Sequence, residues 1–379
     1  MPESSVPVLS GMSLEELTGL VSPQPRFRAM QVFKWIASGV STFDQMGNLP
    51  LPLRQEFAAC CLLRPRTTVT RHRGSDGTVK LAVELADGTC IEAVLLADTS
   101  APNSKAPDSG ASASGTRYTA CLSTQVGCPA GCVFCKTGSM GFVRNLDSAE
   151  IIEQFLLLRA EAESLSPKAP APKGSPAELP VSNIVVMGMG EPLLNLGPLR
   201  KAVSVIGDSR GIGFSHRRIT VSTCGVSAGI ADLADNGPPV RLALSLTTAD
   251  ESLRRRLMPF TEKQPLDEVK DALLRFQRQG GGRVTLEAVL LGGINTRAKD
   301  ARDMAGFARG LDATVNLIPW NPVKGLEFEG RALREPAVAE VESFSRQLKA
   351  LGLNVTRRFR RGRGVMGACG QLGGYHPLA

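Results

Sequence analysis

Three cysteines, Cys128, Cys132 and Cys135, fall within eight residues of one another. Thiolates are good ligands for soft metals, and a Cys-x-x-x-Cys-x-x-Cys run can wrap a single metal centre. A structural zinc takes four protein ligands. No fourth cysteine lies nearby, and the chain's only histidines are His72, His216 and His376. An iron–sulfur cluster held by three thiolates instead leaves one iron open to an outside ligand. One βα unit further on, the loop Gly188-Met189-Gly190-Glu191-Pro192 follows an apolar run. Its glycines let a ligand approach the backbone, and Glu191 can accept from an ammonium or a ribose hydroxyl.

The elements that position these residues read as α/β. Strand candidates are Tyr118–Thr124, Val181–Met187, Arg218–Ser222, Val240–Ser245, Val284–Leu290 and Thr314–Leu317. Helical stretches such as Ser148–Ala162, Leu199–Ile206 and Leu266–Gln279 lie between them. That alternation predicts a parallel sheet of βα units, open or rolled into a barrel, with chemistry on the loops after the strand C-termini. Upstream, Ser13 caps a helix with Glu15 and Glu16 in its first turn, and Phe27–Ser38 and Leu51–Leu63 are further helices. Thr67–Leu96 reads as strands around the turn Ala86-Asp87-Gly88. Thr99–Thr116 and Ser164–Pro180, rich in Ser, Ala and Pro, read as flexible insertions.

Composition sets the class. The chain has 379 residues, 42% hydrophobic and 21% charged, which excludes wholesale disorder. No apolar run is long enough for a spanning helix, and residues 1–10 lack the pattern of a secretion signal. A cytoplasmic location without membrane contact is therefore expected. There, nine cysteines point to metal binding or catalysis rather than a disulfide scaffold. Forty-four Lys and Arg against 36 Asp and Glu give a net charge of +8, which suits a polyanionic partner.

With Phe134 before its last cysteine, the cysteine run has the spacing of the radical S-adenosylmethionine (SAM) signature. Beyond it, the sequence resembles the RlmN/Cfr family of radical SAM RNA adenine methyltransferases. The resemblance rests on Pro25–Ile36, Asn48-Leu49-Pro50, Cys121–Cys128, Gly141–Leu146, Ile219–Thr223, Asn316–Pro322 and Ala368-Cys369-Gly370-Gln371-Leu372. It runs almost end to end apart from the two insertions. It implies a partial (β/α)6 barrel over 118–345, an N-terminal helical RNA-recognition domain over 1–64, a short β extension over 65–117, and a C-terminal segment over 346–379.

The resemblance also implies the reaction, methylation of carbon 2 or carbon 8 of an adenine, with 23S ribosomal RNA the first expectation and tRNA the second. Cys128, Cys132 and Cys135 would bind one 4Fe–4S cluster, and two SAM would be used per turnover. Cys369 would carry the methyl group, Glu92 would accept the ring proton, and Cys121 would release the product by forming a disulfide with Cys369. Arg357, Arg358, Arg360, Arg361 and Arg363 precede Cys369 and would favour its thiolate. In strand context Glu92 reads either as a buried base or as the exposed member of an alternating strand, and Cys60, Cys61, Cys90 and Cys224 read as packing residues.

For SAM the resemblance points to Gly190, Glu191, Ser222, Ser245, Leu246, Thr247 and Asn321. Here the chain departs from the family, because Thr247 stands where a histidine is usual. A low-potential electron donor such as flavodoxin or ferredoxin is also implied. The alternatives are a radical SAM enzyme of another substrate class and a nonenzymatic metal-containing RNA-binding protein. The modified carbon and the oligomeric state stay open.

Overall fold

The computed structural model describes residues 6–21, 24–98, 116–165, 179–358 and 361–374. Nearly all of both expected insertions, together with Arg360 and His376, lie outside these residues. Three helices come first: α1 (Leu14–Val21), α2 (Phe27–Ser38) and α3 (Leu51–Cys60). Ser13 and Glu16 cap α1 reciprocally, with Glu16 N donating to Ser13 Oγ at 3.2 Å and Ser13 N to Glu16 Oε2 at 2.8 Å. Leu17, Ala29, Val32, Phe33 and Ile36 turn inward at helical spacing. α3 stops at Cys60, three residues short of the expected end.

An antiparallel meander follows, β1 (Thr68–Arg73), β2 (Val79–Glu84) and β3 (Cys90–Asp98). It pairs antiparallel with β4 (Arg117–Cys121). β5 (Gln125–Gly127) and β6 (Phe142–Asn145) form a small ribbon around the cysteine loop, with the short α4 (Lys136–Ser139) between them. α5 (Ser148–Leu165) leads to β7 (Val181–Val186). Then come α6 (Leu196–Gly207), β8 (Ile219–Thr223), α7 (Ser227–Asn236), β9 (Arg241–Ser245), α8 (Glu251–Leu257) and α9 (Leu266–Phe276). The chain continues through β10 (Val284–Leu290), α10 (Ala298–Ala308), β11 (Ala313–Pro319), the ribbon β12 (Glu327–Phe328) and β13 (Arg331–Ala332), α11 (Val338–Ala350) and β14 (Asn354–Arg357).

The main sheet has ten strands in the order β1-β2-β3-β4-β7-β8-β9-β10-β11-β14. From β4 onward every neighbour is parallel, so the sheet is an open run of βα units with the meander hydrogen-bonded to its first strand. β14 adds a seventh parallel strand to the expected six. α11 runs through the expected boundary at 345 and 346. Val284, Leu286, Ala288 and Leu290, which share one face of β10, have no exposure, so that face is fully covered.

The strand expected to reach Thr124 ends at Cys121. There Ser123 N turns to Gln154 Oε1 (2.8 Å) and Thr124 N to Met189 O (2.8 Å), which lifts the backbone off the ladder.

α5 joins the N-terminal helices to the barrel. Arg64 grips Glu153 through two hydrogen bonds of 2.7 Å, and Arg159 Nη1 donates to Ala37 O at 2.6 Å. Breaking a buried ion pair from one side strands the other charge, at a cost of about 3 kcal/mol. We therefore expect Glu153→Ala to lose about that much in urea unfolding and to make residues 9–63 the first segment cut by protease. A loss under about 1 kcal/mol with unchanged proteolysis would show that the helices dock by other contacts.

Candidate active site

The C-terminal ends of β4 and β7 feed the two loops that matter. Gly127 has φ +72°, and a Cβ there would collide with the carbonyl oxygen of Gly141. Glycine thus lets the ribbon close, with Cys128 N donating to Gly141 O at 2.8 Å. The far side of the cysteine loop is tied to α8 by Val133 N to Leu257 O (3.0 Å) and to β11's end by Trp320 Nε1 to Phe134 O (2.8 Å).

Cys128, Cys132 and Cys135 are free, half-buried thiols that line one cavity. Burial pushes Cys128 up to about 12 and Cys132 and Cys135 upward as well, with the neighbouring thiols adding repulsion at Cys132. Such thiols stay protonated until a metal cation displaces the protons.

The cavity spans the C-terminal ends of the parallel strands. Gly190, after β7, has φ +103°, and a Cβ there would come within 2.6 Å of the Gln125 side chain. Glu191 is 3% exposed and its carboxylate accepts from Cys224 N (2.7 Å) and Leu193 N (3.1 Å). Burial raises its pKa, opposed by these backbone donors. Ser222 and Ser245 share a hydrogen bond of 3.2 Å across adjacent strands.

Thr247 adopts φ +58°, the left-handed region that a β-branched residue seldom enters. Its N–H donates to Glu287 O (3.0 Å) and its carbonyl accepts from Asn295 Nδ2 (3.0 Å). Leu246 is fully buried and does not line the cavity. A second cavity, lined by Arg283, Arg302 and Arg309, lies at the opposite strand ends and holds none of these residues.

Cys369 lines the first cavity half-buried, and its carbonyl accepts from Asn321 Nδ2 at 3.1 Å. Cys121 is buried, off the cavity wall, and close enough that charge on Cys369 acts on it. Both are free thiols.

Of the described arginines before Cys369, Arg358 lines the cavity with it, and charge on Cys369 acts on that guanidinium. Arg361 instead pairs with Asp98 (2.7 Å), Arg363 pairs with Glu335 (3.1 Å), and Arg357 is exposed. These three do not line the cavity.

Glu92 is 1% exposed but does not line the cavity. Lys80 Nζ donates to its Oε1 at 3.0 Å and Gly373 N to its Oε2 at 2.7 Å. Glu92 is thus buried and ion-paired with Lys80.

Against this geometry, two family descriptions match the chain: "Ribosomal RNA large subunit methyltransferase N-terminal domain" over residues 9–63 and "Radical SAM superfamily" over 171–305. A probable dual-specificity RNA methyltransferase RlmN of Treponema denticola is 46% identical, over 96% of this chain and 95% of the relative. A dual-specificity RNA methyltransferase RlmN of Lawsonia intracellularis is 36% identical, over 94% and 93%. The chain belongs to the RlmN family. A crystal structure of a radical SAM methyltransferase from Sphaerobacter thermophilus superposes with a TM-score of 0.83 at 34% identity, covering 97% of this chain and 99% of that one.

The RlmN family implies an iron–sulfur cluster and SAM, and the residues present fit both. Among the described residues no three His, Cys, Asp or Glu side chains converge as ligands of one ion. Zinc–thiolate bonds of about 2.3 Å would need them to, whereas a cluster places each thiolate on its own iron. On the SAM side, Thr247 Oγ1 and Asn321 Oδ1 are buried at the cavity without a hydrogen-bond partner. A ligand with hydroxyl and ammonium donors would satisfy them.

Two further charged residues on the cavity, Glu287 and Arg358, were not singled out for SAM from sequence. Glu287 is buried, accepts from Asn316 Nδ2 (2.8 Å), and has its pKa raised by burial. Strand position in β10, pointing to the cavity end, was the available signal.

Burial first, and then the charge of Cys369, pushes the Cys121 thiol to about 12, with Arg358 opposing. At pH 8 its thiolate fraction is then about one in ten thousand, rising about tenfold per pH unit below 12. We expect iodoacetamide to label Cys369 but not Cys121 in the folded metal-free protein at pH 8, read by peptide mass mapping. Labelling of Cys121 should climb with pH through 10 without a plateau. Equal labelling of both at pH 8 would contradict this geometry.

Proposed function

We propose that the chain methylates a ring carbon of an adenine in RNA, through a methyl group carried on Cys369. The observation that supports this most is convergence: Cys369 and the three-cysteine loop line one cavity at the C-terminal mouth of the sheet, with Cys121 buried behind its wall within reach of the Cys369 charge. An adenine carbon has no usable lone pair, so direct polar transfer from SAM is closed to it. When bound, the cluster and SAM would supply an electron and a 5′-deoxyadenosyl radical able to activate a carried methyl group.

The chain's own residues do the rest. Cys369 Sγ, beside the Arg358 guanidinium, gives up its proton and takes the methyl group. Glu191, Ser222, Ser245, Thr247 and Asn321 line the place where SAM would be oriented. The activated carbon on Cys369 bonds to the ring carbon, Glu92 accepts the ring proton, and the one electron left over would pass back to the cluster. For that, Gly373 N–H must leave Glu92 Oε2, so the base becomes available when the Cys369 loop shifts. Cys121 Sγ then attacks Cys369 Sγ. The carbon–sulfur bond breaks, the two sulfurs end as a disulfide, and the released carbon takes a proton to become methyl.

The relatives are named as dual-specificity RNA methyltransferases, and the match at residues 9–63 is to a large-subunit ribosomal RNA domain. We therefore propose 23S ribosomal RNA as first substrate and tRNA as second, with a flavodoxin or ferredoxin as electron donor. No helix among the described residues is long and apolar enough to cross a membrane.

Cys121→Ala tests the release step. The variant should still join Cys369 to RNA and then stall, giving a slow band under denaturing electrophoresis that nuclease removes. Replacing Cys369 as well should abolish that band. Normal turnover by Cys121→Ala without trapped RNA would refute the release step.

A further inference from the structure

Arg254 is among the largest fully buried side chains, 1% exposed, while its helix neighbours Arg255 and Arg256 face solvent. One arm of its guanidinium is satisfied: Nη2 donates to Cys224 O at 2.7 Å and to Ser245 O at 3.3 Å. Nε and Nη1 are buried without a partner. Among the described residues no carboxylate forms an ion pair with it. The Glu191 carboxylate is taken by two backbone N–H groups, and Glu251, exposed at the start of α8, accepts from Leu266 N. Arginine cannot shed its charge as lysine can. A buried cation with open donors and no anion is a costly arrangement unless a partner arrives.

The missing anion belongs on the cysteine side. α8 is fastened to the cysteine loop by Val133 N to Leu257 O (3.0 Å), and Phe260 N just after it donates to Ala130 O (3.4 Å). Arg254 itself does not line the cavity but lies behind Cys224 and Ser245, which do. Charge on Cys224, and after it on Cys132, acts on Arg254, and charge on Arg254 acts back on Cys132. We infer that the Arg254 guanidinium is the buried counter-charge of the cluster held by Cys128, Cys132 and Cys135, and sets how readily that cluster accepts an electron. The inference rests on the reading that those thiolates hold a 4Fe–4S cluster.

The physical chain is short. Three thiolates outweigh the positive charge of the core, so the bound cluster is an anion, and reduction makes it more so. Net charge and hydrogen bonds to sulfur are among the factors that fix cluster potentials. A fixed cation with two free N–H donors stabilises the reduced form more than the oxidised one.

The test uses full-length protein, reconstituted without oxygen, with iron and sulfide counted and the midpoint potential titrated in the absence of SAM and RNA. Wild-type protein without a cluster would overturn the cluster reading itself. With the cluster present, Arg254→Met should lower the midpoint by about 59 mV or more, a tenfold change in a one-electron equilibrium. Arg254→Lys, which keeps the charge, should stay nearer to wild type than Arg254→Met. An unchanged midpoint in Arg254→Met, or an equal fall in both variants, would overturn the inference. If Arg254→Met holds no iron, Arg254→Gln is titrated in its place with the same expectation. Loss of the cluster in both neutral variants but not in Arg254→Lys would support a need for charge. Loss in all three would show a purely structural role and overturn the inference.

Discussion

The site depends on how the loop from Cys369 to Gly373 is held across the mouth of the sheet. Lys136 N donates to Gly370 O at 2.8 Å and Thr137 Oγ1 to Leu372 O at 2.6 Å, from the helix that directly follows Cys135. Asn321 Nδ2 and Gln371 Nε2 tie the same loop to the end of β11, and Gly373 N ties it to Glu92. The contacts are mostly to backbone, so they fix the path of the loop and leave the Cys369 thiol free. Four parts of the chain that are far apart in sequence meet through these bonds: the β extension, the cysteine loop, the last cavity loop and the C-terminal segment.

Charge is distributed to match. Glu191, Glu287, Glu92, Lys80 and Arg254 are all buried close to the cavity or behind it, and Arg358 lines it. Buried charges need partners, and most have them within the protein: Lys80 with Glu92, and backbone amides with Glu191. Among the buried donors and acceptors still open, those of Thr247 and Asn321 lie at the cavity and those of Arg254 lie behind it.

Much of this was legible in the sequence. The cysteine spacing, the glycines after β7 and the strand-helix alternation have local causes, and the elements appear close to where they were expected. β14 escaped notice because Asn354-Val355-Thr356-Arg357 is short and mostly exposed, with little alternation to detect. Lys80, a lone charge on a strand, and Arg254, the first of three consecutive arginines on a helix, both read as solvated face in the sequence. Only the register of β2 on β3, which sets Ala82 opposite Glu92, brings Lys80 diagonally beside that carboxylate. Among the arginines before Cys369, Arg358 lines the cavity while Arg361 and Arg363 pair with carboxylates elsewhere, since sequence proximity says nothing of where each guanidinium turns. Thr247 is a further departure. The left-handed turn it occupies is strained for threonine, and its hydroxyl takes the place of an imidazole at the cavity.

The account stands on Cys369 as the carrier of the methyl group. Intact-peptide mass spectrometry of protein expressed and purified with SAM available reads this directly, on the peptide that contains Cys369. The account predicts one added methyl group on that cysteine, absent from Cys121 and lost when Cys128, Cys132 and Cys135 are replaced together. An active, SAM-exposed preparation whose Cys369 carries no methyl group would contradict it.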